Sequence, residues 1–464
     1  MLLHLSKYSW VRSRFLATER ARQFIHQPWA GGVVLLVCVI VAMIFANMEW
    51  SAHIYHELLT TDISLFMHGH DGEFSLLYPR DMNIEKFVND GLMVLFFFGV
   101  GLEIKREVMH GELQSFQKSI LPILAAVGGM VVPAVIYTIV NGGTPAQMGW
   151  GVPMATDIAF AIGILAMLGS RVPTSLKVFL TALAVADDLG AIIVIAMFYG
   201  GTINYTYLFL AVLIMVFVYI MNRLGERQII YYIVPAIIVW SLFYYSGVHA
   251  TMSGVAMAML IPTEPRFSKQ YFLRHAESLN KKIEHVVKVD DSVDDEHYYE
   301  MLRDMKGLTN GSVSMSARLE ESLAPYVTFL VMPIFALVNG GVSINADHLN
   351  IFSYSDQMGS IGMGVFLGLV VGKPVGIFIM SWLAVKLKLA SMPSGATWGM
   401  LFAVACLGGI GFTMSIFVDT LAFFPDMDSV DQGKIAILAG SFVAAMLGVV
   451  LIFLFSRKAE ELTE

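Results

Sequence analysis

Long apolar runs separated by short polar segments make up most of this sequence. A membrane-spanning helix needs about 20 mostly apolar residues, and such runs recur along the whole chain. The pattern predicts twelve spans, near residues 30–47, 84–103, 119–140, 148–169, 173–199, 203–222, 229–246, 248–262, 319–340, 357–384, 394–418 and 432–456. The eighth is short, which is compatible with a tilted or partial span. The predicted class is therefore an all-α integral membrane protein embedded in a lipid bilayer.

Composition agrees with the pattern. Of the 464 residues, 56% are hydrophobic and 14% are charged, whereas soluble domains have about 45–50% apolar and about 25% charged residues. This composition argues against nucleic acid as a partner. Cys38 and Cys406 both lie within apolar runs, so neither a disulfide framework nor a zinc site is expected.

The basic residues predict the orientation of the spans, because Lys and Arg stay on the cytoplasmic side of a membrane. With alternating spans, 25 of the 29 basic residues fall on one side of the membrane. Arg80, Lys86 and Lys434 fall on the other side, and Lys373 lies inside a span. The opposite loops otherwise carry acids, at Asp419, Asp426, Asp428 and Asp431. We therefore expect cytoplasmic tails at 1–28 and 457–464 and a transmembrane domain over 29–456.

Two segments outside the spans are unusually long. Residues 48–83 form an external loop whose four histidines, His53, His56, His68 and His70, admit a metal site, although solvated loop histidines are the commoner case. Residues 263–318 form a charged cytoplasmic loop. Within it, the pattern of Ser278–Met305 favours one surface helix, and the acidic patch at 290–296 is most simply a solvated face.

Two adjacent carboxylates, Asp187 and Asp188, are the only charged residues between Val178 and Phe198 in the fifth span. A carboxylate at the bilayer centre costs about 2.5–3.5 kcal/mol on insertion scales, so the pair is expected to be functional. Ionisation of one opposes ionisation of the other, and the two titrate as a coupled unit. Hard cations such as sodium prefer oxygen ligands, which these carboxylates and the Thr156 hydroxyl offer. Cation and protons would compete for the same oxygens, so exchange would need no cofactor.

Polar interruptions occur in two further spans. The fourth span contains Pro153, Thr156 and Asp157, and the eleventh contains the glycine-rich string Gly408–Ser415. Each interruption lies in the middle helix of a three-helix set, spans 3–5 and spans 10–12, and the basic residues give these sets opposite orientations. The pattern indicates inverted repeats with crossed discontinuous helices 4 and 11 and an ion site between them.

The tenth span contributes a small-residue face and a base. Glycines recur every four residues, at Gly364, Gly368, Gly372 and Gly376, which lets another helix approach closely. Lys373 is the only base in the middle of a span, so we expect a carboxylate partner for it. Asp157 and Lys373 are suited to neutralise the half-helix ends, which would leave Asp187 and Asp188 for a cation.

Together these strings resemble the NhaA-type bacterial sodium/proton antiporters. The resemblance extends over most of residues 29–456, and the strings that carry it are Asn89–Glu107, Met154–Ala161, Ala186–Ile192, Gly247–Thr251, Gly372–Pro374 and Gly409–Ile416. It implies a pH-controlled exchanger of the bacterial cytoplasmic (inner) membrane. Such an exchanger moves more protons than sodium ions per cycle, accepts lithium and forms a homodimer, here through the external loop 48–83.

The resemblance also implies roles for individual residues. Asp188 would be the primary sodium ligand and proton carrier, Asp187 would be its partner and would pair with Lys373, and Thr156 and Asp157 would lie at the crossing. The family's pH-sensing cluster matches Glu103, Arg106, Glu107 and Glu320, for which an ordinary group of helix-end salt bridges is the alternative. Further candidates are Asp90 and His249. The sequence departs from the family pattern at Ala317, Glu321 and Ala324, where a lysine and two histidines are expected.

Other functions are less compatible with the residues. A passive channel is disfavoured by a buried lysine beside paired acids. An intramembrane aspartyl protease, the enzyme alternative, uses carboxylates from two helices and a Gly-x-Gly-Asp string that is absent here. Transporters of the same fold with other selectivity, such as potassium/proton exchange or sodium/solute symport, remain as alternatives.

Overall fold

The computed structural model describes residues 27, 29–62, 67–69, 72–74, 82–111, 114–289, 295–344, 351–352 and 359–460. The first part contains α1 (Ala30–Asn47), α2 (Ala52–Thr60), α3 (Ile84–His110), α4 (Phe116–Asn141), the 3-10 helix Pro145–Met154, α5 (Ile158–Met167), α6 (Thr174–Phe198), α7 (Tyr205–Arg223), α8 (Ile230–Ser246) and α9 (Met252–Leu260). The second part contains α10 (Lys269–Val289), α11 (Asp295–Ser312), α12 (Met315–Asn339), α13 (Ile361–Lys386), α14 (Trp398–Gly408), α15 (Phe412–Phe423) and α16 (Met427–Glu460). Most of the predicted tails, 1–28 and 457–464, lie outside the residues whose side chains are described.

The helical architecture confirms a protein with many membrane spans. Among the described residues, nine segments are long and apolar enough to cross a bilayer, and α14 with α15 makes a tenth that is bent by 46°. The helices α8, with 17 residues, and α9, with nine residues, lie where the seventh and eighth spans are predicted but are shorter. Twelve spans therefore remain a prediction.

Helices α4 and α13 approach each other at backbone distance. A Cβ atom added at Gly128 would overlap the carbonyl of Gly376, and one added at Gly376 would overlap the carbonyl of Gly128. One turn away along α13, Gly372 lies against Pro133 of α4. The predicted close approach on the glycine face of the tenth span is confirmed, and it brings Lys373 into the centre of the protein.

Two helices widen into a π-helical turn just before a proline. The turn Gly368–Gly372 in α13 precedes Pro374, and Val327–Val331 in α12 precedes Pro333. Proline lacks an N–H donor and its ring clashes with the carbonyl four residues earlier. A wider turn accommodates that carbonyl, and such turns often lie at functional sites.

The long loops contain more regular structure than the pattern predicts. In segment 48–83, α2 is followed by an antiparallel hairpin of β1 (Met67–Gly69) and β2 (Gly72–Phe74). Of the four histidines there, the side chains of His68 and His70 lie outside the described residues. No group of three potential metal ligands occurs in the part of the chain that the structure describes.

Two expectations were wrong. The single surface helix over Ser278–Met305 is instead the pair α10 and α11; the acids concentrated at 290–295 repel one another, and Asp295 suits a helix N-terminus. Asp419, assigned to an external loop, lies inside α15 and is fully buried. The helix continues past it because Thr420–Phe423 are compatible with another helical turn.

Candidate functional site

The two predicted helix interruptions meet in the protein interior. The 3-10 helix ends at Met154 and α5 begins at Ile158, while α14 ends at Gly408 and α15 begins at Phe412. The Asp157 backbone N–H donates to the Ile410 carbonyl at 2.7 Å. The crossing of two discontinuous helices is thereby confirmed.

Asp157 binds the N-termini of both half-helices at this crossing. Its Oδ1 accepts a hydrogen bond from the Phe160 N–H at 3.0 Å, at the start of α5. Its Oδ2 accepts from the Thr413 hydroxyl at 2.5 Å and from the Thr413 N–H at 3.2 Å, at the start of α15. A carboxylate is favourable at a helix N-terminus because of its unpaired N–H groups and positive partial charge. One buried side chain therefore joins the two breaks.

Serine hydroxyls satisfy further backbone groups that the breaks leave free. Ser441 of α16 accepts from the N–H groups of Gly411 and Phe412 at 3.2 and 3.1 Å. The Ser415 hydroxyl donates to the Val152 carbonyl at 2.8 Å. The sequence gives Thr413 and Ser415 no individual role within the string Gly408–Ser415 and does not single out Ser441, because hydroxyl residues are common in apolar helices.

Lys373 and Asp187 form a buried ion pair beside the crossing. The Lys373 ammonium donates to Asp187 Oδ2 at 2.8 Å, and both side chains are at most 1% exposed. The same ammonium donates to the Met154 carbonyl, at the end of the 3-10 helix. The Thr156 hydroxyl lies 2.5 Å from Asp187 Oδ2 and 3.1 Å from the Gly408 carbonyl. It has one proton and donates to one of these acceptors at a time.

The two carboxylates of α6 differ in how many of their hydrogen bonds are satisfied. Asp187 uses one oxygen, and its Oδ1 is buried without a partner among the described residues. Asp188 is 6% exposed, and no hydrogen bond to its carboxylate is found within the described chain. Asp187 is therefore fixed in position, whereas Asp188 has both oxygens available.

A cavity of about 380 Å³ leads to Asp188. At the crossing it is lined by Thr156, Asp157 and Thr413 in addition to Asp188, and towards the end of α3 and the start of α12 it is lined by Glu103, Arg106 and Glu320. It also reaches Ala324, one of the positions where the sequence departs from the family pattern. The cavity, whose remaining lining is mostly apolar, connects Asp188 with one face of the protein.

Arg106 collects three carboxylates at the outer end of this route. Its guanidinium donates to Glu320 and lies 3.3 Å from Glu107 and 4.0 Å from Glu103. Arg106 is 46% exposed, so the individual pairs are weak. They nevertheless connect α3 with α12 across the mouth of the cavity.

The other two candidates lie apart from the cavity. His249, between α8 and α9, contacts the Tyr199 carbonyl through its ring. Asp90 lies in the π-helical turn Phe87–Leu92 of α3, where its carbonyl accepts from the Trp240 indole at 2.7 Å. The structure brings neither residue to the paired carboxylates.

Loss of Lys373 should destabilise the protein. Lys373→Met leaves the buried Asp187 carboxylate without its charge partner, which costs about 3–5 kcal/mol. We expect a lower temperature of thermal unfolding in detergent. The double variant Lys373→Met/Asp187→Asn should recover at least half of the loss, and Lys388→Met, an exposed base just past the end of α13, should change little. Equal stability of Lys373→Met and the native chain would contradict a stabilising pair.

Comparison with known proteins agrees with this geometry. The family model described as Na+/H+ antiporter 1 matches residues 22–452. The Na(+)/H(+) antiporter NhaA of Sulfurimonas denitrificans is 41% identical over 453 residues, which are 97% of this chain and 98% of that protein. The Na(+)/H(+) antiporter NhaA of Acidithiobacillus ferrooxidans is 40% identical over 440 residues, which are 94% of this chain and 97% of that protein. The Rhodopirellula baltica protein of the same name is 40% identical over 430 residues, or 93% of this chain and 92% of that protein. The chain belongs to the Na+/H+ antiporter 1 family.

Proposed function

We propose that this protein exchanges cytoplasmic sodium, or lithium, for external protons at Asp187 and Asp188. The observation that carries the proposal is the state of Asp188, a carboxylate with no hydrogen-bond partner among the described residues that lines a cavity together with Thr156 and Asp157. Family membership supports sodium/proton exchange as the activity, and transport of this kind needs no cofactor. The resulting function is control of cellular pH and sodium.

Competition for the same oxygens supplies the coupling. Sodium entering the cavity meets Asp188, whose oxygens are hard ligands suited to a hard cation. We propose that Asp187 Oδ1, which has no partner among the described residues, becomes a further ligand. Binding requires the proton on Asp188 to leave, because ligand oxygens bind metal in their deprotonated form. A returning proton displaces sodium in the same way. Each ion therefore crosses only when the other does not occupy the site.

The ion pair between Lys373 and Asp187 determines how much negative charge the ion-binding site carries. Lys373 fixes one oxygen of Asp187, so sodium meets a pair of carboxylates of which one is already partly neutralised. We propose that exchange is electrogenic, with more than one proton per sodium ion. Asp188 carries the first proton, and a second comes from the groups of the Lys373–Asp187 pair.

The crossing of the two discontinuous helices is the part of the protein that we expect to move during transport. In transporters with inverted repeats, access alternates by movement of one bundle against another around a central site. Here Asp157 and Thr413 hold the half-helix ends together at 2.5 Å, next to the paired carboxylates. We propose that the crossing moves as a unit and that the cavity leading to Asp188 is its cytoplasmic access route.

Replacement of Asp188 should abolish exchange. In inverted membrane vesicles with an acid-loaded lumen and a pH-sensitive dye, sodium and lithium should relieve quenching for the native chain. Asp188→Asn keeps the shape of the side chain but cannot release a proton, so its response should fall to that of vesicles without the protein, since an ionisable group inside the membrane marks the ion pathway.

The matched control is Asp304→Asn, the same substitution on the exposed surface of α11, which should leave the response unchanged. An undiminished sodium response in Asp188→Asn would refute the assignment of Asp188. Potassium in place of sodium tests the alternative selectivity, since a potassium response equal to that of sodium would favour potassium/proton exchange.

We further propose that the Arg106 cluster controls activity according to cytoplasmic pH. Its carboxylates line or border the access route, and protonation of any of them removes an ion pair to Arg106. The positions Ala317, Glu321 and Ala324 lack the basic residues of the family pattern, so regulation here depends more heavily on the acids of the cluster.

Glu320→Gln should shift the pH profile of transport towards alkaline pH. Glutamine imitates the protonated, low-pH form of Glu320, so activation must rely on the remaining carboxylates. A surface pair contributes about 0.2–1 kcal/mol, which corresponds to a shift of up to about 0.7 pH units. Glu321→Gln, on the adjacent exposed residue, is the control. Identical profiles for both variants and the native chain would exclude a regulatory role for Glu320.

We place the protein in the bacterial inner membrane, with the transmembrane domain over 29–456 and both tails in the cytoplasm, and we propose a homodimer formed through segment 48–83. The strands β1 and β2 form a two-stranded hairpin, with the pairs Met67–Phe74 and Gly69–Gly72. An isolated two-stranded hairpin is marginally stable, and an exposed strand edge is a template for pairing with a second chain.

Glu73→Pro should convert the dimer to a monomer in mild detergent, because proline removes a backbone donor from the strand. Size-exclusion chromatography with light scattering would measure the mass. Glu73→Ala, which removes the carboxylate but keeps the donor, should remain dimeric. A dimeric Glu73→Pro variant would show that this hairpin does not form the interface.

A further inference from the structure

Asp419 is a buried acid that the exchange mechanism above does not use. It lies in α15, is 0% exposed, and neither carboxyl oxygen has a hydrogen-bond partner among the described residues. An ionised carboxylate without a partner is very costly in an apolar interior, and such a group is stable there only in its neutral form. In this conformation Asp419 therefore holds a proton.

Within the described ranges, no neighbouring group donates a hydrogen bond to Asp419. Tyr137 of α4 and Tyr199 of α6 lie within its electrostatic reach, but their hydroxyls donate to the carbonyls of Ala146 and Met148 at 2.8 and 2.9 Å. The 3-10 helix Pro145–Met154, which packs on α15, contains no titratable residue. The protons of both tyrosine hydroxyls are thus used in hydrogen bonds to this 3-10 helix.

Helix α16 supplies the charges that face Asp419. Lys434 and Asp431 both act on it electrostatically, and Lys434 is 5% exposed and does not hydrogen-bond to it. Gly433 lies directly against the carboxyl group, since a Cβ atom there would overlap both of its oxygens. A small outward movement of α16 against α15 would open this contact and bring Asp419 and Lys434 to water together.

The position of Asp419 along α15 relates it to the transport route. The cavity that reaches Asp188 is lined by Thr413 and Met414 of α15. Asp419 lies six residues beyond Thr413, about 9 Å along the helix, on the opposite side of the crossing from Glu103 and Glu320. Ser415, one turn before Asp419, donates a hydrogen bond to the Val152 carbonyl and so joins α15 to the 3-10 helix between the crossing and Asp419.

We propose that Asp419 is an additional proton-binding site, separate from Asp188 and the Lys373–Asp187 pair, which holds a proton while the cytoplasmic cavity is open and exchanges it with the external solution when the external face opens. This proposal rests on the proposed function. In the outward state the O–H bond of the carboxyl group breaks, the proton passes to external water, and the remaining carboxylate faces the ammonium of Lys434. That carboxylate offsets the positive charge of Lys434, which would otherwise repel sodium at the external mouth.

The test compares the two sides of the membrane. The full chain is reconstituted in one orientation in liposomes, and the half-saturating sodium concentration is measured from each side. For Asp419→Asn we expect an increase of up to about ten-fold from the external side, the low end of the range for a focused charge, because the charge of Lys434 is then no longer offset. We expect no change from the cytoplasmic side. Asparagine has nearly the same volume and preserves the packing against Gly433.

The matched control is Asp426→Asn, which removes an exposed acid just beyond α15 that accepts a hydrogen bond from Ser429 at 2.7 Å. If Asp419→Asn behaves like Asp426→Asn, or changes both sides equally, the proposal is overturned. Asp188→Asn in the same liposomes should lose transport from both sides. Absence of sodium transport in the native chain would instead refute the proposed function.

Infrared difference spectroscopy tests the protonation of Asp419 without transport. The purified native chain should show the carbonyl-stretch band of a buried protonated carboxyl group that Asp419→Asn lacks and that Asp188→Asn retains. A spectrum of Asp419→Asn that keeps every carboxyl band of the native chain would overturn the proposal even if the transport assay fails.

Discussion

The need to satisfy backbone groups at two helix breaks inside a bilayer determines the centre of this protein. Irregular backbone at membrane depth is tolerated only where it is buried in protein or lines a cavity. Here the breaks satisfy each other, through the bond from the Asp157 N–H to Ile410 and through the Asp157 carboxylate that binds the starts of α5 and α15. Lys373 serves the opposite end, at the Met154 carbonyl. The charges that neutralise the helix ends also create the polar centre.

Close helix packing makes these few contacts possible. Lys373 can reach Met154 and Asp187 because α13 approaches α4 at Gly128 and Gly376, where any side chain would collide with backbone. The π-helical turn Gly368–Gly372 immediately precedes Lys373 and Pro374. The glycines and the proline of α13 therefore both determine the position of the Lys373 ammonium group.

Charged residues in apolar spans could be located from the sequence, but their partners could not. Asp157, Asp187 and Lys373 stand out because each is a rare charge in a hydrophobic run, and family strings surround them. Thr413 could not be recognised in the same way, since it is one of many hydroxyl residues and its bond to Asp157 joins positions 256 residues apart.

Asp419 is a charged residue whose burial the sequence does not indicate. Its neighbourhood in sequence includes Asp426, Asp428 and Asp431, so a loop was the natural prediction for the whole acidic stretch. Its burial depends on α15 continuing to Phe423 and on Gly433 of another helix making room. Neither condition leaves a signal in the local hydrophobic pattern.

The buried acids can be ranked by how many hydrogen bonds each receives, and this order explains what each can do. Asp157 accepts three bonds and is fixed, and Asp187 has one occupied oxygen and one without a partner. Asp188 has no hydrogen-bond partner in the part of the chain that the structure describes but faces a cavity, so water and ions replace the missing bonds. Asp419 has no hydrogen-bond partner among the described residues and lines no described cavity, so in this conformation a proton neutralises it. A fully satisfied carboxylate holds the structure together, whereas an unsatisfied one must take its partner from solution, which is the requirement for transport.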